Sequence, residues 1–333
     1  MSTPAASMHS VAAKQIVESL GLKLGRANLD VFADTLLELA RADRNVVAVT
    51  SDSRGSGKLG PFGQALPRQI VELGIAEQNL VGVAAGLASV GKTVFAVSPA
   101  CFLTARSFEQ IKNDVCYSDN PVALVGISAG VSYGALGTTH HSLHDFAALR
   151  AVNNITIIAP ADGFETREAV RAAAALRKPV YLRFGKAPLY TLPTDAPFAF
   201  GAARVLREGD DGAFLATGET VVHALLAAAH LAEHHGLECR VLSLPTVKPL
   251  DVAAILGAAH DCRAIVTAEE HMVHGGLGEA VGSLLALNGF GTEFRIAAIP
   301  DEYTVTGSQA DIFRHYGLTM EGLADTMRAA LRA

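Results

Sequence analysis

At 333 residues the chain exceeds the usual size of one hydrophobic core, so two domains are expected. Half of its residues are hydrophobic and 18% are charged, a balance that supports large cores and excludes general disorder. Its 33 acidic and 27 basic side chains give a net charge of -6, with no basic tract suited to nucleic-acid phosphates or anionic lipid; small molecules and proteins are the expected partners.

Residues 1–24 read as an N-terminal extension in which Lys14, Glu18 and Lys23 break the apolar stretches that a secretory or membrane segment would need. Cys101, Cys116, Cys239 and Cys262 form no CxxC pair and are too sparse to staple a chain of this length, which fits a reducing cytoplasm. From residue 25 onward, short β-rich apolar runs alternate with helical patterns. "NVVAVT" (45–50), "TVFAV" (93–97), "PVALVGI" (121–127), "ITIIAP" (155–160) and "PVYLRF" (179–184) are each separated by enough chain for a crossover helix. That is the pattern of a largely parallel sheet flanked by helices. "VFADTLLELARA" and "GFETREAVRAAAALR" carry the helical period between them. A proline-rich stretch follows, and its centre, 191–201, reads as a linker between a first domain at 25–190 and a second at 202–333. The second repeats the α/β alternation through "AFLAT", "ECRVLSL", "RAIVTA" and "EFRIAAI".

One helix stands out. In "VELGIAEQNLVGVAAGLASVG" (71–91), Glu77 heads a segment made almost entirely of small and apolar residues. An acid in a first helical turn can simply complement the helix dipole in water. The small residues Gly82, Ala84, Ala85, Gly86 and Ala88 instead allow close approach by a neighbouring backbone, and a carboxylate in such an interface would be desolvated, a condition suited to proton sharing.

"GIAEQN", "ACFLTARSFEQIKNDV", "GALGTTHHSLHDFAALRAVNNITIIAPAD" and "VYLRFGKAP" occur in this order, and "AEEHMVHGGLGEAV" follows in the last domain. Together they resemble the pyrimidine-binding and C-terminal domains of the transketolase family of thiamine diphosphate enzymes, over about residues 28 to 333. The resemblance implies the thiamine diphosphate pyrimidine fold followed by a transketolase C-terminal-like domain. It also implies that Glu77 is the carboxylate hydrogen-bonded to the far nitrogen of the cofactor's aminopyrimidine, which favours the tautomer used for proton abstraction. The family's Gly-Asp-Gly turn and downstream asparagines, which hold the diphosphate through Mg2+, have no counterpart: "GDDG" at 209–212 lacks the triplet and lies in the wrong domain. The expected protein is therefore the C-terminal subunit of a split transketolase. Its N-terminal, diphosphate-binding partner would hold the Mg2+ and share the cofactor, in an α2β2 assembly.

The other candidates follow from the same motifs. Phe102 and Phe108 stand where the family places aromatic rings around the aminopyrimidine, although core packing explains either. Arg106 lines that pocket or faces solvent. His140 matches the histidine that contacts the sugar near its reacting carbon, and Arg183 matches a position expected to bind the substrate phosphate. Asp145 is a candidate helix N-cap. Glu269, Glu270, His271 and His274 have a spacing that could suggest a metal but read better as a strand-to-helix turn, and no metal is assigned there. Leu136 and Ser128 stand where many transketolases carry an aspartate and a histidine. The donor is thus expected to be an unusual phosphorylated ketose, apulose 4-phosphate being one example, with an aldose phosphate as acceptor. The alternatives are a subunit resembling 1-deoxyxylulose-5-phosphate synthase and a non-catalytic regulatory subunit.

Overall fold

The computed structural model describes residues 8–193 and 197–332. In the first half the strands are β1 (Lys23–Ala27), β2 (Val46–Thr50), β3 (Ile70–Glu72), β4 (Thr93–Pro99), β5 (Val122–Ile127), β6 (Thr156–Ile158), β7 (Val180–Phe184) and β8 (Pro188–Thr191). In the second half they are β9 (Arg204–Arg207), β10 (Gly212–Ala216), β11 (Cys239–Ser243), β12 (Thr246–Lys248), β13 (Ala264–Met272) and β14 (Glu293–Ile299). The nine apolar runs read from the sequence all become strands. β2, β5, β7 and β10 are buried at every position, as expected for strands covered on both faces.

The larger sheet has the order β12-β6-β7-β5-β4-β2-β3, and the smaller β14-β13-β10-β11-β9. Within the larger, β6, β7, β5, β4, β2 and β3 run parallel. The short strands β1, β3, β8, β9 and β12 had no apolar run to announce them. Two of these change the domain picture. β8 falls where the chain leaves the first domain and pairs antiparallel with β1, and β12, from the second half, pairs antiparallel with β6 and so extends the first domain's sheet. Of the expected linker, residues 194–196 lie outside the described residues.

The described part of the N-terminal extension is also built in. The Ser10 hydroxyl accepts from the Ala13 amide at 3.0 Å and caps the helix Val11–Ser19, whose buried Ala13, Ile16 and Val17 join the core beneath the helix Thr220–His235. Among the described residues no helix is long and apolar enough to cross a membrane.

A buried polar seam joins the two halves. Arg183, inside β7, donates from Nε to Asp145 Oδ2 at 2.8 Å and from Nη2 to the carbonyls of Ser142 and Glu270 at 3.0 and 2.8 Å. The Tyr181 hydroxyl donates to the same Asp145 oxygen at 2.8 Å. One amide nitrogen, Gln309 Nε2, donates to both Glu219 Oε2 at 2.7 Å and Glu270 Oε1 at 2.9 Å. Burial pushes both glutamates above the ordinary carboxylate range, Glu219 further through repulsion by Glu270, while Arg183 pulls both back and Asp145 pushes Glu270 up.

The folded chain therefore retains protons that the unfolded chain releases. Stability from these groups is complete below the ordinary glutamate pKa and is lost as pH rises through neutrality, at up to about 1.4 kcal/mol per pH unit per carboxyl. Buried histidines such as His223 and His271, whose pKa values desolvation lowers, act in the opposite sense below neutrality. In thermal melts from pH 5 to 8.5, Tm should therefore fall less with rising pH in Glu219→Gln than in the wild type; identical slopes would exclude Glu219 as a source.

Candidate functional site

Five parallel strands end along one edge of the larger sheet, and each hands over to a segment of the site. β2 leads into Ser51, Asp52 and Ser53. β3 leads through Gly74, Ile75 and Ala76 into the helix Glu77–Ser89. β4 runs straight into the helix Ala100–Arg106, β5 into the loop 128–142, and β7 into Gly185 and Lys186. A crevice beyond the carboxyl ends of parallel strands is where open α/β sheets bind ligands.

Glu77 is 4% exposed, as its setting among small residues suggested. Its carboxylate opens on a cavity lined by Ser51, Ser53, Phe102 and Arg106, and Ile75, 74% exposed, stands beside it at the helix head. Arg106 Nη1 donates to both Glu77 oxygens at 3.1 Å, while its guanidinium lies 4.4 Å from the centre of the Phe102 ring. Phe102 in turn meets the His140 ring edge-on at 5.3 Å, and Tyr133 meets the same imidazole at 5.5 Å. Glu77, Arg106, Phe102 and His140 thus form one continuous group. The Thr139 hydroxyl lies 3.0 Å from His140 Nδ1.

Four expectations are redrawn. Phe108 belongs to a separate cavity with Lys112, Cys116, Tyr117 and Val152, where it packs on the core, so it does not line the Glu77 pocket. Arg183 is not free at a strand end, because β7 continues through Phe184; it is 7% exposed, and its Nε and Nη2 donate within the seam, while Nη1 makes no hydrogen bond there. Asp145 makes no capping hydrogen bond at the helix Asp145–Arg150; it is spent on Arg183 and Tyr181, and Arg183 holds its carboxyl below the usual range against the opposing effect of burial. Ser128 is fully buried at φ 53° beside the Tyr133 hydroxyl, whereas Leu136, 55% exposed, is the last residue of the turn Gly134–Leu136.

The last-domain cluster divides by function in the fold. Glu269, pushed up to about 7 by burial, accepts the Leu277 and Gly278 amides at 2.6 and 2.7 Å at the start of the helix Leu277–Leu287. His271 is buried, stacks on Phe146 at 5.0 Å and is pushed down to about 4 by desolvation. His274 is exposed and lies 3.1 Å from Glu279.

Sequence reasoning missed Lys186, the first cation beyond β7. Its Nζ sits 4.2 Å from the centre of the Tyr133 ring, the ring that also packs on His140, and burial with nearby Lys58 lowers its pKa. The missed signal was the run of apolar residues on either side of Arg183: in a strand buried on both faces Arg183 is interior, and the next basic residue past the strand end is Lys186. Also missed were Ser51 and Ser53, whose signal was the polar turn "SDSRGSG" directly after a buried strand.

The family model described as "Transketolase, pyrimidine binding domain" matches residues 26–191, and that described as "Transketolase, C-terminal domain" matches 201–323. The chain belongs to the transketolase family. It is 49% identical to an apulose-4-phosphate transketolase subunit of Phocaeicola vulgatus over 89% of this chain and 94% of that one. A 1-deoxy-D-xylulose-5-phosphate synthase of Geobacter sulfurreducens is 36% identical over 95% of this chain but only 50% of its own length. Among solved structures, a split gene transketolase, an inactive beta4 tetramer, superimposes with a TM-score of 0.82 at 34% identity, covering 92% of this chain and 99% of that one. Split transketolase subunits therefore match this chain over nearly their whole length, and the synthase matches it with half of itself.

The Arg106–Glu77 pair should be measurable in the isolated chain. Arg106→Ala leaves a buried carboxylate unpaired and is expected to destabilise by roughly 1–3 kcal/mol, while Arg106→Ala combined with Glu77→Gln recovers most of the loss. Urea unfolding of the four-member cycle checks this; additive effects would mean that the pair carries no coupling.

Proposed function

We propose that the chain is the catalytic C-terminal subunit of a split transketolase, transferring a two-carbon ketol unit from a phosphorylated ketose to an aldose phosphate. The observation that carries this reading is the buried Glu77 carboxylate, held at a helix head and opening on a cavity that also reaches Phe102 and, through it, His140. A buried carboxylate at the edge of a cavity beside an aromatic ring suits the aminopyrimidine of thiamine diphosphate, with Glu77 holding a shared proton against a ring nitrogen and Phe102 bounding the ring. When bound, thiamine diphosphate supplies the electron sink for the transferred unit.

Arg106 now occupies the carboxylate that a ring nitrogen would take. Its side chain is 49% exposed, so it has room to swing toward solvent as the cofactor enters. His140, packed edge-on against the Phe102 ring that bounds the cavity, contacts the sugar. Lys186, rather than Arg183, is the cation for the substrate phosphate, a role for which an accessible ammonium beside the Tyr133 ring is suited. Leu136 offers no hydrogen bond to a donor hydroxyl, which supports a donor other than a common pentose phosphate. Apulose 4-phosphate, in the name of the 49% identical relative, fits that constraint.

Among the described residues no group of three or more His, Cys, Asp or Glu side chains is placed to hold a metal ion. The diphosphate and its Mg2+ are accordingly assigned to a partner subunit, two copies of each chain forming the enzyme.

Two measurements test this. The chain alone should give no ketol transfer, and adding a diphosphate-binding subunit should restore it. In that pair Glu77→Gln should retain assembly and thiamine diphosphate binding while turnover falls roughly 10²–10⁴-fold. Full turnover by Glu77→Gln would remove Glu77 from the chemistry.

Lys186→Met should raise KM for a phosphorylated donor at least tenfold with little change toward its unphosphorylated analogue. Equal loss on both donors would assign Lys186 to structure instead.

A further inference from the structure

The loop 128–142, which carries Leu136 and His140, belongs to the first domain, yet much of what holds it comes from the second. Its base is fixed by Glu270 of β13, whose Oε1 accepts the Val131 amide at 2.9 Å. A Cβ on Gly130 would lie 2.1 Å from that carboxyl carbon, so the backbone passes against the carboxylate. At its tip the loop meets the segment 304–309, which follows β14. A Cβ on Gly134 would come within 2.6 Å of the Gly307 carbonyl oxygen, and one on Gly137 within 3.0 Å of Thr306 Cγ2. Both glycines have positive φ, 51° and 72°, so the tip takes a backbone path that suits glycine and leaves no space for a side chain.

The polar contacts at the tip define one consistent chain of donors. His141 Nε2 lies 2.9 Å from the Gly134 carbonyl, which can only accept, so Nε2 carries the proton. Desolvation lowers the His141 pKa and favours the neutral ring, leaving Nδ1 as acceptor. The Thr304 hydroxyl, 2.7 Å away, therefore donates to Nδ1. Its oxygen then accepts from the Thr138 hydroxyl at 3.0 Å, while Thr138 Oγ1 accepts the Thr304 amide at 3.1 Å. Every proton has one place, and the chain crosses the domain boundary three times. His140, adjacent to His141, makes no such contact: its backbone is tied to the Gly137 carbonyl at 2.9 Å, while its ring is left toward Phe102 and Tyr133.

We propose that Thr304, acting through His141, is a positioning residue for ketol transfer, by which the C-terminal domain fixes the loop tip that carries Leu136 and His140 and so holds His140 against Phe102 at the edge of the cavity. The proposal rests on the reading of His140 as the sugar-contacting residue. It assigns the last domain a task in the reaction although none of its residues lines the Glu77 cavity. His141 acts here as a fixed neutral strut, and its neighbour meets the sugar.

The test uses Thr304→Val, which keeps the shape and removes the hydroxyl, and Thr304→Ser, which restores the hydroxyl. Amide hydrogen exchange on the full chain should quicken about tenfold or more across residues 134–142 in Thr304→Val, remain at the wild-type rate in β5 and β13, and return toward wild type in Thr304→Ser. In the assembled pair, kcat/KM for the donor should fall roughly 10–100-fold in Thr304→Val, the scale of a displaced contact group, and recover in Thr304→Ser. Unchanged exchange across 134–142 overturns the clamp. His140→Ala, assayed alongside, separates the remaining outcomes: an inactive His140→Ala with a loosened but fully active Thr304→Val overturns the positioning role alone. A fully active His140→Ala overturns the assignment of His140 and the proposal with it.

Discussion

Arg183 is the residue on which the arrangement of the two halves depends. A guanidinium in the middle of a strand buried on both faces is costly to desolvate, and it is tolerated only with its hydrogen bonds satisfied. Asp145 supplies the compensating charge and accepts from Nε, the carbonyls of Ser142 and Glu270 accept from Nη2, and the Phe146 ring lies 4.7 Å from the guanidinium carbon. Those partners come from the end of the loop 128–142, the helix after it and a strand of the other domain. One side chain thereby fixes three elements, and its removal would leave Asp145 buried and uncompensated.

The site inherits its geometry from that seam. The loop 128–142 is anchored near its far end where Arg183 takes the Ser142 carbonyl, at its base through Glu270, and at its tip through Thr304. Rigid parallel strands deliver the remaining groups to one edge, so Glu77, Phe102 and His140 converge although they are separated by dozens of residues in the chain. The exchangeable element is the exposed arginine at the mouth: Arg106 pairs with Glu77 in the absence of any other partner for the carboxylate. Buried, networked groups hold the framework, whereas in the Arg106–Glu77 pair only the carboxylate is buried and the arginine is half-exposed.

The structure brings Glu77, Phe102 and His140 into one contiguous group and sets Phe108 and the interior Arg183 apart from it. The separation of Arg183 has a physical source. A motif gives the order of residues along a strand, but a shift of one position turns a side chain to the opposite face and moves it relative to the strand end. Arg183 lies one residue inside the end of β7, which separates a solvent-facing cation from the centre of a buried network.

The sequence by itself determined the α/β class, the nine strands with apolar runs and the carboxylate at the head of a small-residue helix, because apolar pattern and residue size are local properties. It left unread β1, β3, β8, β9 and β12, which carry no continuous apolar run and are set by the strands they pair with. It also gave Asp145 a local capping role, since the competing partners Arg183 and Tyr181 are 38 and 36 residues away. The tertiary structure alone decided that β12 of the second half completes the first sheet, that Arg106 meets Glu77, that Lys186 meets Tyr133, and that Thr304 reaches across 163 residues to His141. Each of those is a contact between side chains or backbones distant in the chain, and no local pattern encodes a distance that only folding brings within a few ångströms.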